Sequence, residues 1–378
     1  MQQYRTEGIV ASTALKRSEA RELCMSTREV LLSSSSSSSS STPPLQQTSL
    51  TWHTFDVGGG HQRHIAVAKP TNSGTTSLPL TVWLPGGGLF RVSFFFVKWA
   101  IPKLAARGHI VIAPCYGTST PPVLVCTRVW LVVSLLTLVL RLIPGAWPGL
   151  YEAMVLAALA AVAVLAVITT KPSVRFPQHI QEAARGVQWA LDHGSELGAD
   201  TSRLVLAGHS AGGQLVTLMM LQPRWLEEVG VGIERVRGVV LLSPVLDWTF
   251  LGTASVSALA RRLLYEVFLR AQYGVSYNCD YEAQLAAVSP LALARAGATH
   301  PDVPVLLLRA GREVPGFNEM AYRIMDLDGY ERELRKQQLT WLVNDHVHDG
   351  SHVTAQVHLG RTCFELSHPF WKAVLARE

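Results

Sequence analysis

Five residues constrain this chain more than any others: Gly208-His209-Ser210-Ala211-Gly212. The run before them, Arg203-Leu204-Val205-Leu206-Ala207, reads as a buried strand, and Gly212 to Leu221 after them reads as a helix. A strand that passes into a helix through a serine flanked by glycines predicts a cramped turn. Small residues are needed on both sides of the serine, and its Oγ is left exposed at the top of a sheet. The first amides of the helix have no acceptor within it, so they face any anion that forms beside the serine. An ordinary helix-capping serine would not need glycine on both flanks.

The rest of the chain repeats the same alternation. Strands are expected at 51–55, 64–68, 80–84, 109–113, 203–207, 238–242, 303–308 and 338–343. Helical stretches are expected at 94–106, 177–197, 212–221, 258–271, 317–336 and 368–377. Strands separated by helices of this length imply βαβ units, and so a mostly parallel sheet with helices on both faces. The fold class is therefore α/β. Residues 1–50 are set apart by the unbroken run Ser33 to Ser41, which cannot bury enough apolar surface to order itself. A disordered Ser-rich segment is thus expected over 1–50 and one catalytic domain over 51–378.

One block breaks the rhythm. Residues 123–143 and 150–170 are two long apolar stretches, joined by Pro144-Gly145-Ala146-Trp147-Pro148-Gly149 as a turn. About 20 apolar residues cross a hydrocarbon core. The reading is an inserted apolar helical hairpin over 123–171 that enters a membrane from the catalytic side. The alternatives are a hydrophobic lid, an inserted pair of core helices, and an error of gene prediction. The whole chain is 48% hydrophobic and only 16% charged, which agrees with unusual apolar surface. The basic residues around the block only favour a cytosolic catalytic domain. A net charge of +5 without a dense Lys/Arg stripe argues against nucleic acid as a partner. Five scattered cysteines read as free thiols of a reducing compartment. The N-terminal stretch carries no apolar core of a cleaved leader.

Upstream of the serine turn, Pro85-Gly86-Gly87-Gly88 follows the strand at 80–84. Glycines let a backbone approach a ligand closely enough for its amides to donate to an oxyanion. Together the two motifs resemble the α/β-hydrolase carboxylesterases, including the hormone-sensitive-lipase-like and isoprenylcysteine methylesterase-like branches. Gly208-His209-Ser210-Ala211-Gly212-Gly213 matches that family's Gly-x-Ser-Ala-Gly-Gly elbow, and Gly198-Ala199-Asp200-Thr201-Ser202-Arg203 looks like its approach. The resemblance covers roughly 51–122 and 172–378. Pro85 stands where the family usually carries His, which removes a side-chain anchor of the loop but no backbone donor.

The resemblance implies roles for particular residues. Ser210 would be the nucleophile, with Gly87, Gly88 and Ala211 as oxyanion donors. The base should follow the last strand. Gly350-Ser351-His352 is similar to the family's Gly-x-x-His, one residue tighter, so His352 is the candidate and His348 the alternative. The acid should follow the strand at 303–308. Glu313 fits, and Asp247 after the strand at 238–242 is the alternative. His346, His348 and His352, with Asp345 and Asp349 beside them, cluster as metal ligands can, but no second ligand motif completes a site. No cofactor is called for. The expected activity is hydrolysis of a carboxylic ester, lipophilic if the apolar block sits in a bilayer. An amidase or arylformamidase would use the same machinery, and a non-catalytic binding module could keep the same fold.

Overall fold

The computed structural model describes residues 46–71, 77–89, 94–118, 174–252, 269–274, 280–312, 318–339, 342–352, 354–358, 364 and 368–376. Of the Ser-rich segment expected over 1–50, residues 1–45 lie outside the described residues, as does the apolar block 123–171. Among the described residues, no helix is long and apolar enough to cross a membrane.

Eight strands form one sheet: β1 (Thr48–Asp56), β2 (Gln62–Pro70), β3 (Leu78–Leu84), β4 (Ile110–Pro114), β5 (Ala199–His209), β6 (Val236–Leu242), β7 (Val305–Arg312) and β8 (Leu342–Ser351). Their spatial order is β1-β2-β4-β3-β5-β6-β7-β8. The β1–β2 and β2–β4 pairs are antiparallel, and every later pair is parallel. The central strands β3, β4 and β6 are apolar along nearly their whole length, as strands covered on both faces must be.

The described helices are α1 (Phe94–Ala105), α2 (Gln178–Gly194), α3 (Ala211–Leu221), α4 (Arg224–Glu227), α5 (Arg270–Tyr273), α6 (Tyr281–Ala287), α7 (Pro290–Arg295), α8 (Asn318–Met325), α9 (Leu327–Lys336), α10 (Ala355–His358) and α11 (Pro369–Leu375). They cover both faces. On β3, Leu80 lies against Gly194 of α2. Trp83 is three residues on, so it points to the other face. There it meets Phe364 at 6.4 Å between ring centroids, and Phe364 packs on Trp371 of α11.

The register lines up one edge of the sheet. Leu84, Gly208, Leu241, Leu307 and Asn344 form a row across β3, β5, β6, β7 and β8. The carboxyl ends of these strands therefore open on the same side, where ligands bind in open parallel sheets.

Three expectations need correction. The last strand is not 338–343 but Leu342–Ser351, so His346 and His348 fall within β8 and His352 just past its end. Pairing with β7 as far as Arg312 draws this charged, histidine-rich run into the sheet despite its poor strand propensity. The helical stretch 317–336 is two helices. Asp326 breaks it by capping α9, accepting from the Gly329 amide, as short acidic side chains do. The disordered segment expected over 1–50 ends earlier: Thr48, Ser49 and Leu50 belong to β1, drawn into the sheet by pairing with Pro70, Lys69 and Ala68. The helix expected over 258–271 lies mostly outside the described residues, and only Leu269 onward is described.

Candidate active site

The turn between β5 and α3 carries the strain its sequence implies. Ser210 sits at φ 53° and ψ −121°, a conformation that costs a non-glycine residue about 1–3 kcal/mol. The flanking glycines are sterically required. A Cβ on Gly208 would meet the Gly212 carbonyl oxygen at 2.6 Å. One on Gly212 would overlap the Leu84 carbonyl, and one on Gly213 would lie 2.8 Å from Pro244 Cβ. The serine is held from both sides: its amide donates to the Leu242 carbonyl at 3.0 Å, and its carbonyl accepts from Gln214 and Val245. Ser210 thus sits at the carboxyl end of β5, with the unsatisfied first amides of α3, Ala211 among them, beside it.

The loop after β3 folds over this turn. A Cβ on Gly86 would lie 3.0 Å from Ser210 Cβ. Gly87 and Gly88 take φ 142° and 62°, and Leu89 follows at 58°. The left-handed backbone at Gly87 and Gly88 is what their glycine identity permits. With proline at position 85 the loop is anchored by other side chains. The Tyr116 hydroxyl donates to the Pro85 carbonyl at 2.6 Å. The Gln272 side-chain amide of α5 donates to the Gly88 carbonyl. Gln272 is in turn held through its backbone, whose carbonyl accepts from Phe176 at 2.8 Å. Sequence reasoning passed over both anchors. Tyr116, two residues past β4, was open to inspection as a buried aromatic hydroxyl, whereas nothing local marks Gln272.

A buried polar network backs the turn. The Tyr273 hydroxyl donates to Gln214 Oε1 at 2.7 Å and accepts from Trp248 Nε1 at 3.2 Å, while Gln214 Nε2 donates to the Val288 carbonyl. Burial pushes the Tyr273 and Tyr116 hydroxyls far above the usual tyrosine range, so both remain protonated donors. Cys115, beside Tyr116, is pushed up to about 12 by burial and stays a thiol.

The candidate base lies beside the elbow. His209 Nε2 donates to the main-chain carbonyl of His352 at 2.7 Å, and the two rings stand 4.8 Å apart. Burial, with His352 next to it, pushes His209 down to about 3. The alternative base, His348, belongs to β8, but its side chain lies outside the described residues, as do those of Asp345, His346 and Asp349. Among the described residues, no group of three or more His, Cys, Asp or Glu is placed to hold a metal ion.

The candidate acid Glu313 also lies outside the described residues. The residue before it, Arg312, is the β7 partner of Ser351, which precedes His352. Asp247 is described and does other work. Its carboxylate accepts from the Thr249 amide at 2.7 Å and hydroxyl at 2.5 Å and pairs with Arg295 at 3.8 Å. It thereby caps the short 3₁₀ turn Thr249–Gly252.

Comparison with known proteins agrees with this architecture. A family model described as alpha/beta hydrolase fold matches residues 153–313. No curated protein matches the sequence. Among solved structures, an esterase from the fungus Rhizomucor miehei superposes with a TM-score of 0.55 at 18% identity, covering 88% of this chain and 85% of that one. A thermostable esterase from Pseudomonas putida gives 0.52 at 18% identity, covering 88% and 83%. The esterase Est22 gives 0.52 at 15% identity, covering 87% and 80%. The chain has the α/β-hydrolase fold.

Proposed function

We propose that this α/β-hydrolase is a serine esterase that cleaves a carboxylic ester through an acyl-enzyme on Ser210. The observation that carries this is the strained elbow: a serine at φ 53° between glycines no larger residue could replace, under a glycine loop. In the proposed reaction His352 takes the proton of Ser210 as Oγ attacks the ester carbonyl. The amides of Gly87, Gly88 and Ala211 donate to the oxyanion of the tetrahedral intermediate. The intermediate collapses, His352 protonates the departing alkoxide, and the alcohol leaves. Water, deprotonated by His352, then attacks the acyl-enzyme, and as the acid leaves His352 returns the proton to Ser210 Oγ. Glu313 holds the imidazole and stabilises its charged form.

Ser210→Ala should remove turnover of a short p-nitrophenyl ester; undiminished hydrolysis would contradict the reading. His348→Ala should leave turnover nearly intact while His352→Ala abolishes it. The same triad can cleave amides, so an anilide of the same acyl group belongs in the assay. Faster cleavage of the anilide would favour an amidase.

The substrate is proposed to be lipophilic, and the catalytic domain to work at the cytosolic surface of a membrane. Support comes from the apolar sequence of 123–171. The block follows β4 in sequence, and the carboxyl end of β4 lies on the edge of the sheet where Ser210 lies. Removal of 123–171 should release the protein from membranes and lower activity on long-chain esters more than on acetate. Continued pelleting with membranes would contradict the anchor.

A further inference from the structure

His209 occupies the variable position of the elbow, and the mechanism above gives it no task. The residue is only 4% exposed, and its ring is wedged between the two loops that complete the site. On one side Nε2 reaches the carbonyl of His352 at 2.7 Å. A carbonyl only accepts, so Nε2 carries the proton. On the other side Nδ1 has no hydrogen-bond partner, and a Cβ on Gly86 would lie 2.5 Å from it. The glycine loop therefore closes directly on this ring. The ring is also tilted 43° against that of His352, with centroids 4.8 Å apart. His352 lies just past the end of β8, after Gly350 at φ 141°.

We infer that His209 is a positioning residue, whose Nε2–H ties the main chain of His352 to the elbow and so sets the imidazole of His352 against Ser210 Oγ. This rests on the reading of Ser210 and His352 as nucleophile and base. The tie spans 143 residues of sequence and joins the elbow to the base loop by one bond. Burial keeps the ring neutral near pH 7, so it carries one proton, and the bond to the His352 carbonyl places that proton on Nε2. A displacement of about 1 Å at a reacting group costs on the order of 100-fold in rate, so a lost brace should be visible in kcat.

The test compares His209→Gln with His209→Met. Gln places an amide N–H near the position of the imidazole Nε2, whereas Met has similar length and no donor. With p-nitrophenyl acetate, His209→Met should lower kcat roughly 10- to 100-fold with KM within about twofold. His209→Gln should recover kcat to within about threefold of wild type. Should the Met form fail to fold, His209→Phe, which keeps ring volume without a donor, replaces it in the comparison. Wild-type kcat in the donorless form would overturn the inference. So would a Gln form as slow as the Met form, because ring shape and not the hydrogen bond would then matter. Ser210→Ala and His352→Ala run alongside. Retained turnover in either removes the underlying reading. If both are inactive while His209→Met is active, only the positioning role falls.

Discussion

At the scale of single residues, the site depends on how few atoms hold its donors in place. The glycine loop after β3, proposed as the oxyanion loop, has proline at position 85, and two hydrogen bonds from outside the loop hold it. Gln272→Leu should free the Gly88 carbonyl and loosen the loop. Loss of one oxyanion donor costs about 100- to 1000-fold in kcat, and a loosened donor should cost roughly tenfold with little change in KM. An unchanged kcat would mean that Gln272 is a bystander. Tyr116→Phe leaves the Pro85 carbonyl buried without its donor, which should cost about 1–2 kcal/mol of stability in urea unfolding. A stability equal to wild type would show that water or a shift of the loop replaces that bond.

At the scale of elements, the β5–α3 unit was legible because its motif is compact in sequence, even though part of what demands its glycines is not. Gly208 is crowded by Gly212 four residues on, but Gly212 is crowded by Leu84 and Pro85 at the end of β3 and Gly213 by Pro244 just past β6. Gly212→Ala should therefore destabilise the protein by about 3 kcal/mol or more, since the clash is with strand backbone that cannot move aside. Soluble Gly212→Ala of normal stability would contradict this packing. The end of the sheet was less legible. The run Asn344-Asp345-His346-Val347-His348 has little strand propensity and is held as β8 by its pairing with β7, a long-range contact that local pattern does not encode. Asp247 shows the same limit. Its position after β6 suited an acid, but its carboxylate is committed to a turn and to Arg295, and only tertiary structure reveals that. The partnership of His209 with the His352 carbonyl is likewise a contact between residues far apart in sequence.

At the scale of the whole molecule, the fold holds several histidines in their neutral form. Burial pushes His109, His179 and His300 down to about 4 and His209 to about 3, from an ordinary value of 6.5. The unfolded chain binds protons at these sites near pH 6.5, whereas the folded chain does not. Their stability is present above about pH 6.5 and is lost as pH falls toward 4. Each such histidine costs roughly 1 kcal/mol per pH unit in that window, so two units cost several kcal/mol, comparable with a typical folding margin. The urea midpoint should fall steeply between pH 7.5 and pH 5; a flat profile would show that these rings gain protons without unfolding. The catalytic claim is tested most directly by labelling with a fluorophosphonate probe, which reports an activated serine without knowledge of the substrate. The wild-type chain should be labelled rapidly, and Ser210→Ala should not be labelled at all. Equal labelling of both, or none of the folded wild type, would contradict Ser210 as the nucleophile.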